Sequence, residues 1–379
     1  MNALLLIALG VFGAAFVFAA VITMWRNRLA DTGPHDAGVN LVDRPFVTLI
    51  VPVRNGEATI AAVLQDLYVQ TWPKARMEVV VVDDASTDRT EAIVRGMQRT
   101  WSALLYERAI GEGKKAAITT GVGRARGELI LMTDADARCG AERVERFAVE
   151  WMRTGADMLM GPVRTVGNGF FGGLQEDEQA ALTGVAAATA LGGNALLASG
   201  ANMAFSAKAF AAVGGYHGDR YASGDDIFLL ERMKRDGRKV AYVLRADALV
   251  TVEAEPTFTG FRDQRIRWAG KMRGVAGAGK WVAFLALLFP WLLLAVTIGV
   301  PWTAAANHGL ARAALLIAGA WALWIIPVVG LAVDMKRFMG MPARRFRTLL
   351  SLLGFTCYAP LIAMASLFVR PRWRGRSIR

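Results

Sequence analysis

The 379-residue chain is 54% apolar yet 20% charged, and Lys plus Arg (44) exceed Asp plus Glu (32), for a net charge of +12. An ordinary soluble domain holds roughly 45–50% apolar residues, so the surplus points to a water-facing domain joined to bilayer segments. The two cysteines, Cys139 and Cys357, exclude a disulfide-stapled scaffold and a paired-Cys zinc site, and no repeat or low-complexity pattern is present.

Residues 3–24 run about 22 residues without a charge, enough to span roughly 30 Å of hydrocarbon. Only Asn2 precedes them after the initiator and Trp25-Arg26-Asn27-Arg28 follows, the flanks of an uncleaved anchor whose C-terminal end faces the cytoplasm. Residues 1–28 are therefore expected to be an N-terminal anchor. Three further apolar stretches, 281–302, 313–333 and 349–369, define a C-terminal membrane region at 281–379. The loop before the second carries only His308 and Arg312, whereas the loop after it carries Lys336, Arg337, Arg344, Arg345 and Arg347. The positive-inside rule places the first loop outside and the second inside. The tail, with Arg370, Arg372, Arg374, Arg376 and Arg379, also belongs inside, which a single crossing by 349–369 forbids. Pro360 suggests the escape of a broken or re-entrant hairpin. The excess charge then reads as a membrane-surface feature rather than a nucleic-acid footprint.

Between these ends, residues 45–280 change pattern. Strands are expected at 46–53 (FVTLIVPV), 78–82 (EVVVV), 103–106 and 128–132 (ELILM), with helices at 57–70, 87–99 and 114–126. This alternation predicts an α/β domain with a mostly parallel sheet, helices on both faces, and a ligand beyond the carboxyl ends of the strands.

Three carboxylate clusters bear on that rule. Asp83-Asp84 follows a buried strand; the pair either faces a ligand or solvates a turn while Ser86 or Asp88 caps the next helix. Asp134-Ala135-Asp136 also follows a strand and suits a hard divalent cation shared with phosphates and water. Ser223-Gly224-Asp225-Asp226 opens an amphipathic helix. Asp225 is a candidate cap, and one of the two aspartates a candidate general base, its pKa expected to rise through burial and its like-charged neighbour. A fourth element, Gln264-Arg265-Ile266-Arg267-Trp268, is flanked by Arg262, Lys271, Arg273 and Lys280 and also reads as a basic helix on the membrane surface. The stretch 174–191, small and apolar, with Glu176-Asp177-Glu178-Gln179 near its start, is expected to be ordinary core, with packing beneath an acceptor or resting on lipid as the alternatives.

In order, VVVDDASTDRT (80–90), GKKAAI (113–118), LILMTDADA (129–137), SGANMAF (199–205), VGGY (213–216), SGDD (223–226) and QRIRW (264–268) resemble the inverting, membrane-bound family 2 glycosyltransferases of GT-A (Rossmann-like) fold, the cellulose and poly-N-acetylglucosamine synthase-like group included. The resemblance covers about 46–271. One departure is Gly224-Asp225-Asp226, where the family has Thr-Glu-Asp. The resemblance implies that Asp83 or Asp84 binds the base or ribose of a nucleotide, in a pocket lined by Pro52, Arg54 and Asn55, with Lys114 nearby. Asp134 would approach the ribose or sugar and share with Asp136 a bound Mg²⁺ or Mn²⁺. Asp226, with a lesser contribution from Asp225, would take the proton of the acceptor. Gln264, Arg267 and Trp268 would steady the pyrophosphate, for which a planar guanidinium is suited.

The implied protein is a multi-pass enzyme of a bacterial-type inner membrane with its catalytic domain in the cytoplasm. It would move a sugar from a nucleotide-diphosphate sugar, a UDP-sugar by expectation, to a lipid or lipid-linked (glycan) acceptor, with no nucleic-acid partner. The flanking membrane helices, the basic QRIRW region and the scarcity of crossings to line a polymer channel favour a lipid acceptor. A processive polysaccharide synthase is the alternative within the enzyme class, and a non-catalytic sugar-nucleotide-binding scaffold the alternative outside it.

Overall fold

The structure is a computed structural model and describes residues 3–30, 43–219, 223–274, 278–304, 310–369, 372–373 and 376–377. Arg370, Arg374, Arg379 and His308, and the side chains of Arg273, Lys280, Arg372 and Arg376, on which parts of the topology reading rested, lie outside that description.

Helix α1 (Ala3–Ala30) precedes the α/β region, whose first half alternates β1 (Val47–Val53), α2 (Ile60–Tyr68), β2 (Met77–Asp83), α3 (Thr90–Gln98), β3 (Leu104–Arg108), α4 (Lys114–Arg124) and β4 (Leu129–Met132). Next come β5 (Arg138–Cys139), α5 (Arg143–Thr154), β6 (Met158–Met160), β7 (Val163–Val166), the long α6 (Gly169–Leu191), β8 (Met203–Ser206) and α7 (Ala207–Ala212). The region closes with α8 (Asp225–Arg235), β9 (Val240–Tyr242), β10 (Val250–Glu253) and α9 (Phe258–Lys271). Helices α10 (Ala278–Ala304), α11 (Leu310–Phe338) and α12 (Arg345–Ala365) and the short strands β11 (Arg372–Trp373) and β12 (Arg376–Ser377) end the described chain.

The expected α/β architecture is present. Seven strands form one sheet in the order β3-β2-β1-β4-β8-β6-β9; β8 alone runs antiparallel to its neighbours, and β5-β10-β7 make a second, small sheet. Every residue of β1, β2 and β4 is buried, which is why these strands read as continuous β-branched runs rather than alternating ones. Val47, Leu49, Val51 and Val53 of β1 face a core shared with Leu64 of α2, Val94 of α3 and Phe147 of α5. Ile50 faces the other core, with Ile118 of α4, Ala187 of α6 and Leu229 of α8. The two-residue period of a strand thus divides one sequence run between both layers. The helices α2 and α3 begin three residues later than the sequence pattern suggests, because residues 54–59 and 84–89 are the turns at the carboxyl ends of β1 and β2.

Among the described residues, three helices are long and apolar enough to cross a membrane: 5–30, 311–338 and 345–365. Helices α1 and α11 lie side by side in the same direction: Ala8 shares a buried cluster with Ala313 at one end, and Arg26 pairs with Asp334 at 2.7 Å at the other. Their basic ends therefore meet the α/β domain together. The hairpin expected at Pro360 is not formed: α12 is one continuous helix with Pro360 inside it. Beyond α12, β11 rests against α9.

The stretch 174–191 is in good part the ordinary core expected, with Ala180, Ala187 and Ala190 in buried clusters. It belongs to α6, whose first turns carry a ladder of buried carboxylates that ties the sheet domain to the apolar helices. Asp177, fully buried, accepts from Lys336 Nζ (2.8 Å), Thr348 Oγ1 (2.9 Å) and Ser351 Oγ (2.9 Å). Glu176 pairs with Arg347 (2.7 Å), and Glu178 receives Arg265 (2.7 Å) and the Tyr358 hydroxyl (2.7 Å). Buried charge is tolerated only when each member is paired, so removing one partner strands the other. Lys336→Met is expected to cost about 3–5 kcal/mol, the range for breaking a buried pair, while the exposed Arg95→Met changes stability by less than about 1 kcal/mol. Denaturant midpoints of the two variants in detergent check this, and equal midpoints would remove the ladder from its structural role.

Candidate active site

The carboxyl ends of β1, β2 and β4 open into one cavity of about 1630 Å³ that continues between α1, α6, α11 and α12. Pro52, Arg54, Asp84 and Lys114 line its end over the sheet, with Asp134 and Asp136 from the turn after β4. Asp225 and Asp226 enter from the start of α8, and Gln264, Arg267 and Trp268 from α9. Two of the candidate residues are not on its wall. Asp83 accepts from the Tyr106 hydroxyl (2.8 Å) and the Ser86 N–H (2.7 Å). Asn55 takes a left-handed conformation (φ 50°), its Oδ1 accepting from Thr87 N (2.8 Å) and its N–H donating to Ser86 Oγ (2.9 Å). These two hold the loop after β2 in shape while Asp84, one residue on, faces the cavity and accepts from Gly113 N (3.0 Å). Arg54 braces the same loop by donating to the Asp84 carbonyl (2.7 Å).

Lys114 gathers the centre. Its Nζ lies 2.7 Å from Asp134 Oδ1 and 2.9 Å from Asp225 Oδ2, the latter contact an ion pair outside good hydrogen-bond geometry. Burial alone would lower the lysine pKa, but the two carboxylates raise it well above the ordinary range, so the ammonium is permanent. The bridge needs Gly200 of the SGAN segment: a Cβ there would stand 2.5 Å from Asp225 Oδ2 and 2.9 Å from the Lys114 ammonium. Beneath the turn after β4 lies Arg143, fully buried, donating to the Met132 carbonyl (2.6 Å) and Asn202 Oδ1 (2.9 Å), which fastens the turn to the neighbouring loop.

At the start of α8 the expectation that Asp225 caps the helix fails. The cap position is Gly224, at φ 85°, without a side-chain hydrogen bond, and both aspartates stand in the first turn, 7% exposed. The expected upward shift of Asp226 also fails. Burial does push its carboxyl up, but Lys271 Nζ, 2.9 Å from both oxygens, together with the Ile227 N–H (2.7 Å), outweighs burial and holds it below the usual carboxylate range.

The charges of helix α9 divide between surface and interior, with Arg262 exposed. Arg265 is buried in its pair with Glu178 and stacks over the Trp268 ring at 4.3 Å, and Lys271 is turned inward to Asp226. Gln264 donates to Glu255 (3.2 Å). Arg267 faces the cavity; desolvation lowers its pKa, opposed by Asp134, Asp225, Asp226 and Glu255. Lys271 was missed as a site residue, although Gln264, Trp268 and Lys271 follow the four- and three-residue steps of one helix face. Glu178, eighty-odd positions upstream of its partner, carried no comparable signal.

No three acidic, histidine or cysteine side chains converge on one point among the described residues. A closed protein cage for a metal is therefore absent there, and Asp134 is already engaged by Lys114. What the cavity does present is hard oxygen, Asp136 foremost, beside space for a ligand. That donor set fits an Mg²⁺- or Mn²⁺-type ion which takes one or two carboxylates and completes its shell from phosphates and water.

Residues 48–214 match the family profile described as glycosyl transferase family 2. Among curated proteins, the chain is 31% identical over 147 residues to a beta-monoglucosyldiacylglycerol synthase of Synechocystis sp., covering 36% of this chain and 31% of that protein. It is 32% identical over 113 residues to a dolichyl-phosphate beta-glucosyltransferase of Trichomonas vaginalis, covering 27% of this chain and 33% of that one. The chain thus spans about a third of the length of these curated relatives. Among solved structures, the mannosyltransferase PcManGT of Pyrobaculum calidifontis, in complex with GDP-Man and Mn²⁺, superposes with a TM-score of 0.60 at 24% identity, covering 94% of this chain and 99% of that one, a likeness of fold. The profile match over the residues whose strand ends gather these acids and the shared fold lead to one conclusion: residues 48–214 are similar to glycosyl transferase family 2 domains, and the α/β region has a GT-A-like fold.

Proposed function

We propose that the protein is an inverting glycosyltransferase that moves a sugar from a nucleotide-diphosphate sugar to a lipid acceptor at the cytoplasmic face of a bacterial-type inner membrane. The observation that carries this reading is the single cavity: its polar end holds Asp84, Asp134, Asp136 and Asp226, and its other end lies among apolar helices. Residues 1–28 and 281–379 then anchor a catalytic domain at 45–280.

Asp84, with the Pro52–Arg54 backbone, takes the nucleoside; a UDP-sugar is the expected donor. Asp83 and Asn55 shape that pocket from behind. Arg267 faces the diphosphate, with Gln264 and Trp268 setting its approach. Asp136 would hold an Mg²⁺ or Mn²⁺, which when bound supplies positive charge to the departing diphosphate. Asp226 accepts the proton of the acceptor hydroxyl while that oxygen bonds to the sugar C1. The bond from C1 to the diphosphate oxygen breaks on the opposite side, its electron pair leaving with the nucleotide. One displacement inverts the anomeric centre. Asp225 serves by holding Lys114, which keeps Asp134 in place. The relatives named for glucosyldiacylglycerol and dolichyl-phosphate chemistry support a lipid acceptor. A polymer product has no comparable support among the described helices, few of which could line a channel.

Three outcomes are expected. Asp226→Asn lowers transfer by at least about a hundredfold, the usual weight of a positioned base, while calorimetric affinity for the nucleotide sugar stays nearly intact; normal turnover by this variant would remove Asp226 from its role. Lys271→Met takes away the ammonium that keeps Asp226 ionised against its burial, so the acidic limb of the pH–kcat/KM profile moves to higher pH; a limb left in place would show that another group sets it. Asp136→Ala loses the Mn²⁺-dependent part of donor binding and retains the metal-independent part, again by calorimetry. The donor itself is found by offering UDP- and GDP-sugars with Mn²⁺ and total lipid extract to the purified protein and reading the lipids by mass spectrometry.

A further inference from the structure

Helix α12 is long and apolar enough to cross a bilayer, but its neighbours give it a different course. The α/β region holds its inward face over more than half its length. Near its start Arg347 pairs with Glu176 (2.7 Å), and Thr348 and Ser351 each donate to Asp177 at 2.9 Å. Three turns on, the Tyr358 hydroxyl donates to Glu178 (2.7 Å), and its ring packs edge-on against Phe261 of α9 with centroids 5.4 Å apart. Arg262, the next residue of α9, is exposed. Beyond α12, β11 lies against α9 as well.

These contacts do not suit an upright helix. At 1.5 Å per residue, a crossing that starts at Arg345 would carry Tyr358 about 20 Å inward, past the middle of a hydrocarbon core roughly 30 Å thick. Phe261 would follow it, and the exposed guanidinium of Arg262 with it, at a cost of at least about 2.5–3.5 kcal/mol. The return fails on length. The 21 residues of α12 would set Ala365 about 30 Å from the start. The chain from Ala365 to Arg372, the first residue of β11, spans at most about 25 Å even when fully extended.

The outward face is apolar from end to end. Phe346, Leu350, Cys357, Leu361, Met364 and Phe368 are all exposed, at steps of four, seven, four, three and four that keep to one side of a helix. Arg344 and Arg345, also exposed, stand at its start. An apolar stripe that begins beside cations matches the boundary between acyl chains and anionic headgroups.

We infer that α12 does not cross the bilayer but lies along its cytoplasmic interface, with the Phe346–Phe368 stripe set among the lipids and the α/β domain above it. Both ends of the helix are then on the domain's side, and the arginines at 370–379 fall inside, as their charge requires, without a break at Pro360. Ala359 and Ile362, which line the cavity, stand at headgroup level rather than at mid-bilayer. This placement goes beyond the transfer reading and needs only that α1 and α11 span the membrane.

Nitroxide depth measurements test it on the full chain in phosphatidylcholine–phosphatidylglycerol vesicles, with Cys139→Ala throughout. One label is placed on the native Cys357, and single labels on Leu350→Cys, Leu361→Cys and Phe368→Cys in a Cys357→Ala background. Oxygen and nickel-chelate relaxation are expected to put all four at one shallow depth, about 5–10 Å below the headgroups. A depth that increases along the helix to the midplane overturns the inference, and so do four labels in water. A second measurement uses a membrane-impermeant maleimide on sealed vesicles. Val369→Cys is expected to react in the same fraction of molecules as Arg95→Cys on the α/β domain, and Ala311→Cys, at the far end of α11, in the complementary fraction. Val369→Cys grouping with Ala311→Cys overturns the inference. Ala311→Cys grouping with Arg95→Cys would instead remove the spanning role of α11, on which the placement rests. Neither readout involves sugar transfer, so loss of the enzymatic reading would show only in turnover.

Discussion

Carboxylates crowded at the end of a sheet repel one another, and the ammonium groups that hold them together organise this protein. Two unit charges about 4 Å apart interact by roughly 4 kcal/mol at the effective dielectric of a protein surface. Lys114 bridges the turn after β4 to the first turn of α8, and Lys271 draws the end of α9 onto the same helix. Segments far apart in the chain thereby converge on one point. The close approach is possible because Gly200 presents no side chain where Asp225 and Lys114 meet. Asp226 is held ionised by this arrangement rather than protonated by burial, which reverses what adjacent acids in a buried helix suggest.

A second set of charges has a different task. The ladder Glu176-Asp177-Glu178 on α6 joins Lys336 and Arg347 from the apolar helices and Arg265 from α9. Apolar helices in lipid have no hydrophobic reason to choose one neighbour over another, so polar contacts decide where they sit. Buried pairs of this kind add little net stability compared with well-packed apolar residues, and their value is in fixing one arrangement. Here they set the cavity between α1, α11 and α12 in line with the sheet's carboxyl ends. Through Glu178 the same ladder reaches Arg265, stacked on Trp268, so the attachment of the apolar helices and the shape of the cavity share a residue.

The order of strands and helices in the first half of the domain was legible because β-branched runs buried on both faces, separated by periodic helices, admit little but a parallel sheet. The acids after β2 and β4 were legible for the same reason: a strand's end fixes where its next residue goes. Which of two neighbours faces the cavity was not, since Asp83 and Asp84 differ only in the pleat that turns one to Tyr106 and the other to the cavity. The QRIRW helix was legible only in part. Its density of Arg and Lys matches a membrane-surface helix, and only partners distant in sequence, Glu178 and Asp226, show that the charges point inward.

The sequence by itself determined the alternation of layers, the apolar helices at both ends and the set of acids that strand ends present, because these follow from local periodicity and from the length needed to cross hydrocarbon. The tertiary structure alone decided which charges are paired, the ionisation of Asp226, the unbroken course of α12 and the contact of β11 with α9. Each of those depends on distances between residues tens to hundreds of positions apart, and electrostatic energy is governed by distance and burial, neither of which is written along a chain.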